Sequence, residues 1–273
     1  MPALDALASW PAPTAAGVVV TADGGHDVAG PPDWRTRIAS VTKLITAYAC
    51  LVAVEEGTLD LAAPAGPPGS TVRHLLAHAS GLPFEGDEPI APPGARRIYS
   101  NTGFERLGET LAEAARMPVG DYIREAVFAP LGMAASELRG SVAAHVWSTV
   151  GDLAAFAAEL LAPTLVAPET LAEATTEQFP GLAGVLPGFG SHDPNPWGLG
   201  FEIKGAKSPH WTPTAGSPRT FGHFGGAGTF LWVDPVARVA CAVLTNREFG
   251  EWAPPLWTAL SDAVLAEHRA AAR

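Results

Sequence analysis

"RIASVTKLITAYACLVAV" (residues 37–54) is apolar on every side, the composition of a helix sunk in a core rather than lying on a surface. It predicts a helix from about Ser40 to Glu56, closed by Gly57, because glycine readily takes the left-handed turn that ends helices. Against that background Lys43 is out of place. The chain has 17 basic residues, of which only Lys43, Lys204 and Lys207 are lysines. Residues three apart share a helix face, so the Lys43 amine is placed to approach the Ser40 hydroxyl. A serine hydroxyl is a weak nucleophile that needs a base beside it. Lysine serves once burial lowers its pKa, whereas arginine cannot lose its proton. Val41, Leu44 and Ile45 supply the apolar surroundings. Chance gives roughly 0.1 S-x-x-K match at this composition, and a lysine snorkelling at a helix edge has the same spelling, so further features must carry the reading.

Outward from this helix, strand patterns lie at both ends of the chain. "AGVVVTADGGHDVAG" (16–30) reads as two strands around a Gly-Gly turn. "GTFLWVDP" and "VARVACAVLTNR" read as neighbouring strands joined near Asp234-Pro235, and strand character begins at "WGLGFEIK" (197–204). Between the ends the patterns are helical: a short run at "TVRHLLAH", an amphipathic helix at 101–116 with Phe104, Leu107, Leu111 and Ala115 on one face, and helices at 119–128, 148–161 and 168–176. A last helix runs from about Trp252. The economical architecture is an α/β fold of the α+β type: one antiparallel sheet built from both chain ends (about 1–39 and 197–273), with a helical part (about 40–196) inserted, in a single domain over 1–273.

Two more stretches carry chemistry. In "RRIYSNTGFERLGE" (96–109), Tyr99 and Asn101 stand at a loop-to-helix junction, and Asn101 has the residue type of an N-cap. In "FGHFGGAGTFLWVDP" (221–235), His223 and the glycines open a strand that a ligand can approach closely. These three stretches, in this order, resemble the serine β-lactamase and penicillin-binding-protein superfamily, and more narrowly its class C β-lactamase-related esterases and peptidases. "HLLAHASGLP" (74–83), "YIREAVFAPLGM" (122–133), "STVGDLAAFAAELL" (148–161) and "WGLGFE" (197–202) extend the resemblance over nearly the whole chain.

The resemblance implies a β-lactamase/transpeptidase-like fold and a covalent acyl-enzyme on Ser40. Lys43 would be the activating amine, and Tyr99 would share the proton transfers. Asn101 would bond Lys43 or the acyl side of the substrate. The backbone N–H groups of Ser40 and Gly226 would form the oxyanion hole, and His223 and Gly225 would line the edge strand of the cleft. No metal and no organic cofactor is implied. The third stretch departs from the family pattern of a cation, a hydroxyl residue and glycine, because His223 is followed by Phe224. An unperturbed histidine is largely neutral at pH 7, so an anionic lactam or peptide C-terminus loses its anchor while a neutral ester loses little. Arg219 and Arg247 are the candidate substitutes. The expectation is a small-molecule ester or amide substrate, with a carboxylesterase favoured over a β-lactamase or a D-amino-acid peptidase; a silent binding or sensor module on the same fold is the alternative from another class.

Bulk properties narrow the field. A net charge of −11 argues against nucleic acid or an anionic membrane as the main partner. No apolar stretch is long enough to span a bilayer, the first basic residue is Arg35, and Cys50 and Cys241 lie in apolar runs as free thiols would; a cytoplasmic location is the expectation. No serine is flanked as G-x-S-x-G, which excludes the α/β-hydrolase elbow. His74 and His78 have zinc spacing but lack the glutamate after the first histidine, and the glycine-rich run lacks both nucleotide-binding patterns.

Overall fold

Two runs that read as continuous apolar strands, 15–21 and 239–245, are buried along almost their whole length, and they form the centre of the sheet. The structure, a computed structural model, describes residues 2–271. Its strands are β1 (Ala15–Thr21), β2 (His26–Ala29), β3 (Thr36–Arg37), β4 (Glu137–Leu138), β5 (Val146–Ser148), β6 (Gly184–Leu186), β7 (Gly190–His192), β8 (Glu202–Ile203), β9 (Phe221–Gly225), β10 (Thr229–Asp234) and β11 (Val239–Thr245). Its α-helices are α1 (Thr42–Glu55), α2 (Val72–Leu76), α3 (Asn101–Ala115), α4 (Val119–Ile123), α5 (Val150–Leu161), α6 (Pro168–Ala174) and α7 (Ala253–Ala271). The main sheet is antiparallel, in the order β2-β1-β11-β10-β9-β8, so both chain ends contribute as the sequence predicts.

Both faces of this sheet are covered, and side-chain alternation sorts its residues into two cores. Val18 and Val20 of β1, Leu231 and Val233 of β10, and Ala242 and Leu244 of β11 face the core built around α1, α3 and α5. Val19, Phe230, Trp232, Cys241 and Val243 face the other core, closed by α7 and an N-terminal 3-10 helix over Ala3–Ser9. Burial on both faces explains why "VACAVL" does not alternate with polar residues. Cys50 and Cys241 are buried free thiols. No described helix is long and apolar enough to cross a membrane.

Several expected boundaries move. The helix predicted from Ser40 starts at Thr42, because Ala39–Val41 forms a 3-10 turn first. The strand expected over 197–204 is only Glu202–Ile203, paired with Phe221 and Gly222. That short strand is fixed by charge rather than length. Glu202 is buried and accepts from Lys207 Nζ (2.7 Å) and Trp211 Nε1 (2.8 Å), with His210 Nε2 at 2.7 Å. Burial alone would raise the Glu202 pKa, but Lys207 and His210 hold the carboxyl well below its usual range. Removing one partner of such a pair strands the other in the core. Lys207→Ala is therefore expected to lower unfolding stability by about 3–5 kcal/mol, read from urea denaturation; a loss within error of zero would mean that the network is not holding β8.

Candidate active site

Ser40 lies in the 3-10 turn just before α1, and its neighbour Ala39 takes a left-handed φ of 48°. Alanine visits that region at a cost of roughly 1–2 kcal/mol, so the turn is held from outside. Thr229 Oγ1 donates to Ile38 O at 2.8 Å, and the end of β9 presses on the same turn. A Cβ on Gly225 would stand 2.5 Å from Ile38 O and from Thr229 Oγ1. Gly225 ends β9, and its missing side chain lets the strand meet the turn that carries Ser40, while Gly226, the next residue, borders the cleft beside Ser40. β8 pairs only with Phe221 and Gly222, so His223–Gly225 has no neighbouring strand on that side and forms a buried but unpaired length of sheet edge.

Lys43 is fully buried on α1, yet its amine is not bonded to Ser40 as helix spacing suggests. It donates to Asn101 Oδ1 at 2.7 Å and to Ala143 O at 2.8 Å. Its neighbours on the helix join the same loop: Thr42 Oγ1 accepts from Val146 N, and Thr46 Oγ1 donates to Val142 O. Burial pulls the Lys43 pKa from 10.5 down to about 7, against the opposing pull of Glu105. Glu105 also takes a hydrogen bond from Ser141 Oγ, which accepts from Ala143 N at 3.0 Å. The carbonyl that receives the amine is therefore held in place from α3.

Asn101 is free for this contact, one of the two that the family resemblance implies, because the capping its residue type also allows falls to its neighbour. Ser100 caps α3 by accepting from Gly103 N at 2.8 Å, which leaves Asn101 as the first helical residue. Tyr99, one residue earlier, has its ring centroid 4.8 Å from Lys43 Nζ. Burial pushes its phenol above the ordinary range, partly offset by the Ser40 hydroxyl. The Tyr99 hydroxyl makes no well-formed hydrogen bond, yet it lies near enough to Ser40 to feel it; loose contacts of this kind are common in free enzymes.

Ser40, Lys43, Tyr99, Asn101, His223 and Gly226 are thus brought to one place. His223 is buried, with Nδ1 2.6 Å from Phe224 O, and burial followed by the nearby Lys43 charge pulls its pKa down to about 3. It is neutral, as the sequence reading expects of an unperturbed histidine, but for the stronger reason of burial. Phe224 points to the opposite face of β9, into rings of Phe249 and Trp257 at 5.2 and 5.7 Å. The cleft above Ser40 has a volume of about 290 Å³, with walls that include Phe84, Leu186, Trp197 and Phe249. No arginine or lysine lines it among the described residues. Arg247 instead reaches Pro11 O and lies over Trp252.

His78 is the site residue that sequence reasoning set aside as half of a zinc pair. Its ring centroid is 4.7 Å from that of Tyr99 and 4.9 Å from that of Trp197, and its Nδ1 accepts from Ser100 N at 3.1 Å. His74 is engaged elsewhere, with Thr71 and against Phe179. Among the described residues no three His, Cys, Asp or Glu side chains cluster to hold a metal ion. Buried polar atoms of His78, Tyr99, Trp197 and His223 lack protein partners, and a catalytic role is one of the explanations such atoms call for in a native fold.

The Beta-lactamase family model matches residues 14–265. The chain belongs to this family, serine enzymes of the β-lactamase and penicillin-binding-protein superfamily. Its fold superposes on the crystal structure of a beta-lactamase from Mycobacterium bovis with a TM-score of 0.96 and 53% identity, covering 97% of this chain and 99% of that one. Simvastatin synthase from Aspergillus terreus shares the fold, with a TM-score of 0.81 at 18% identity over 98% of both chains. The D-alanyl-D-alanine-carboxypeptidase/endopeptidase AmpH of Escherichia coli is 30% identical over 146 residues, 40% of this chain and 38% of that protein. The chain spans less than half the length of such curated relatives.

The packing of β9 on the nucleophile turn generates a test. Gly225→Ala must displace Ile38–Ser40, and a misplacement on the order of 1 Å costs about 100-fold in rate. Labelling of Ser40 by a fluorophosphonate is expected to slow by that order while circular dichroism stays unchanged; unaltered labelling would show that the contact does not position Ser40.

Proposed function

We propose that the protein is a serine acyl hydrolase acting through an acyl-enzyme on Ser40, with neutral carboxylic esters as substrates. The observation that carries the ester reading is the cleft: apolar and aromatic walls, no arginine or lysine at its lining, and a neutral histidine where the family pattern has a cation. The relatives' names favour a second reading, hydrolysis of lactams or D-peptides. Those substrates carry a carboxylate, and of the two arginines the sequence offers as its anchor, Arg247 is turned to Pro11 and Trp252 while Arg219 does not line the cleft.

The chemistry follows from the hydrogen bonds. A neutral lysine amine has two N–H bonds and one lone pair. Donation to Asn101 Oδ1 and Ala143 O uses both hydrogens, leaving the lone pair to take the Ser40 proton as Oγ attacks the ester carbonyl. The N–H groups of Ser40 and Gly226 receive the developing oxyanion, a contribution typically of about 3–4 kcal/mol per donor. Tyr99, held protonated by burial, gives its proton to the departing alkoxide and regains one from the Lys43 ammonium. Water then attacks the acyl-enzyme, with the same groups working in reverse.

Losing a charge-assisted carboxylate anchor costs roughly 10- to 100-fold. In a side-by-side panel, 4-nitrophenyl butyrate is expected to exceed a chromogenic cephalosporin in kcat/KM by at least that margin, with both activities abolished in Ser40→Ala. Efficient cephalosporin hydrolysis with poor ester turnover would overturn the ester reading.

The active form of Lys43 is the neutral amine, so activity is lost as pH falls and the amine gains its proton. The kcat/KM for the ester is expected to rise with pH through an apparent pKa of about 7. Lys43→Arg keeps the charge but cannot accept a proton, and is expected to be nearly inactive. An active arginine variant would show that the residue supplies charge alone.

A further inference from the structure

Beside the catalytic cleft runs a second, larger hollow of about 460 Å³, lined by the apolar side chains of Phe84, Ile90, Ile98, Tyr99, Val185 and Pro187 together with Arg96 and Arg97. It shares Phe84, Tyr99 and Pro187 with the cleft, so the two are separated only by side chains common to both. Phe84 is the main partition: its ring stacks on Tyr99 at 5.9 Å and is half exposed. Of the five large hydrophobic side chains that stand exposed among the described residues, three lie on this hollow: Phe84 at 50%, Ile90 at 65% and Val185 at 53%. Isolated apolar side chains on a surface are ordinary, but a cluster around a concavity marks a binding site.

The hollow is built rather than incidental. Arg97 is buried behind its floor, donating to the carbonyls of Ala77, Gln178 and Asn195 at 2.6–3.1 Å. Its backbone N–H donates to Ala183 O at 2.9 Å, and Arg97 bridges to Gly184, which ties the β6–β7 hairpin carrying Val185 to the floor. On the opposite wall, Ile90 N donates to Gly81 O, and Phe84 O accepts from Asn101 N, each at 2.9 Å. The last bond ties the Phe84 wall to Asn101, the residue that the family resemblance places at Lys43 or at the acyl side of the substrate.

We propose that this hollow is an acyl-chain subsite, which makes esters of medium-length aliphatic acids, rather than acetyl esters, the substrate class of the enzyme. The inference rests on the acyl-enzyme reading of Ser40 but not on ester turnover itself. A chain leaving the carbonyl passes Phe84 and lies between Ile90 and Val185, covering side chains that otherwise meet water. Each fully buried methylene favours binding by about fourfold, so even partial burial separates long chains from short ones clearly.

The test uses two fluorophosphonates that differ only in the alkyl group on phosphorus, ethyl or octyl. Ser40 Oγ attacks phosphorus, the P–F bond breaks, fluoride departs, and the serine proton passes to the neighbouring base; the alkyl group stays on the enzyme in the place of the acyl chain. Labelling rates are read by intact mass on the wild type, Val185→Asp and Ile90→Asp, two exposed positions outside the catalytic groups. The octyl reagent is expected to label the wild type at least 10-fold faster than the ethyl reagent. Each variant should cut the octyl rate at least fivefold while leaving the ethyl rate unchanged. Equal octyl and ethyl rates on the wild type, or an octyl preference that survives both variants, would overturn the subsite. Variants that slow both reagents alike would overturn it too. An octyl preference alongside poor ester turnover in the substrate panel would keep the subsite and sink the ester reading alone, whereas no labelling of Ser40 by either reagent would sink both.

Discussion

The site is organised by one constraint: an amine buried in the most apolar helix of the protein must be satisfied without staying charged. Lys43 has no access to water, and a buried ammonium without a counter-ion is strongly disfavoured. The fold answers with two oxygen acceptors, one from a side chain on α3 and one from a backbone carbonyl on the loop before β5. Two acceptors match the two hydrogens of a neutral amine. Everything around the lysine serves that arrangement. Ser100 takes over the capping of α3, Glu105 and Ser141 hold the loop that carries Ala143 O, and Thr42 and Thr46 join that loop to α1.

The main sheet holds the turn of Ser40, the nucleophile of the proposed reaction, next to the helix that carries the buried amine. β9 lies between the two cores: His223 faces the rings of Tyr99 and Trp197, while Phe224 packs among the aromatic residues under α7. Its last residue is glycine because the Ile38–Ser40 turn passes within contact of the backbone there. The short β8, held by the Glu202–Lys207–His210 network rather than by a long ladder, ends before His223 and leaves the sheet edge open at the cleft. A longer β8 would pair with that edge and close it. The same incompleteness that makes the strand hard to read from sequence is what gives a substrate access.

Much of this was legible in the sequence, and the failures have physical causes. The strands of 16–30 and 228–247 and the helix faces of Phe104, Leu107 and Leu111 rest on periodicities of two and 3.6, which tertiary context reinforces here. Ser40 and Lys43 stand out by their spacing, and Tyr99 by the family resemblance of the stretch around it. The sheet β3-β5-β4 and the β6–β7 hairpin were not, since strands of two or three residues are too short to show a period. Residue type alone leaves Asn101 open between a cap and a partner of Lys43, because serine and asparagine cap equally well, and only the structure shows which of the two adjacent residues accepts from Gly103 N. Ala143 could not have been found at all: its role belongs to a backbone carbonyl, which any residue provides. His78 was visible but weighed as a metal ligand, because the aromatic neighbours that define its surroundings come from residues 99 and 197, distant in the chain.

The central claim, a neutral amine beside Ser40, is open to direct observation because the chain has only three lysines. With lysine labelled by carbon-13 at Cε, a pH titration by nuclear magnetic resonance follows three signals, and Lys43→Arg identifies the one that matters. The account predicts that the Lys43 signal titrates near pH 7, with the amine neutral over the range in which the enzyme acts. A Lys43 signal that stays charged up to the ordinary lysine value of about 10.4 would contradict it, and with it the assignment of Lys43 as the base.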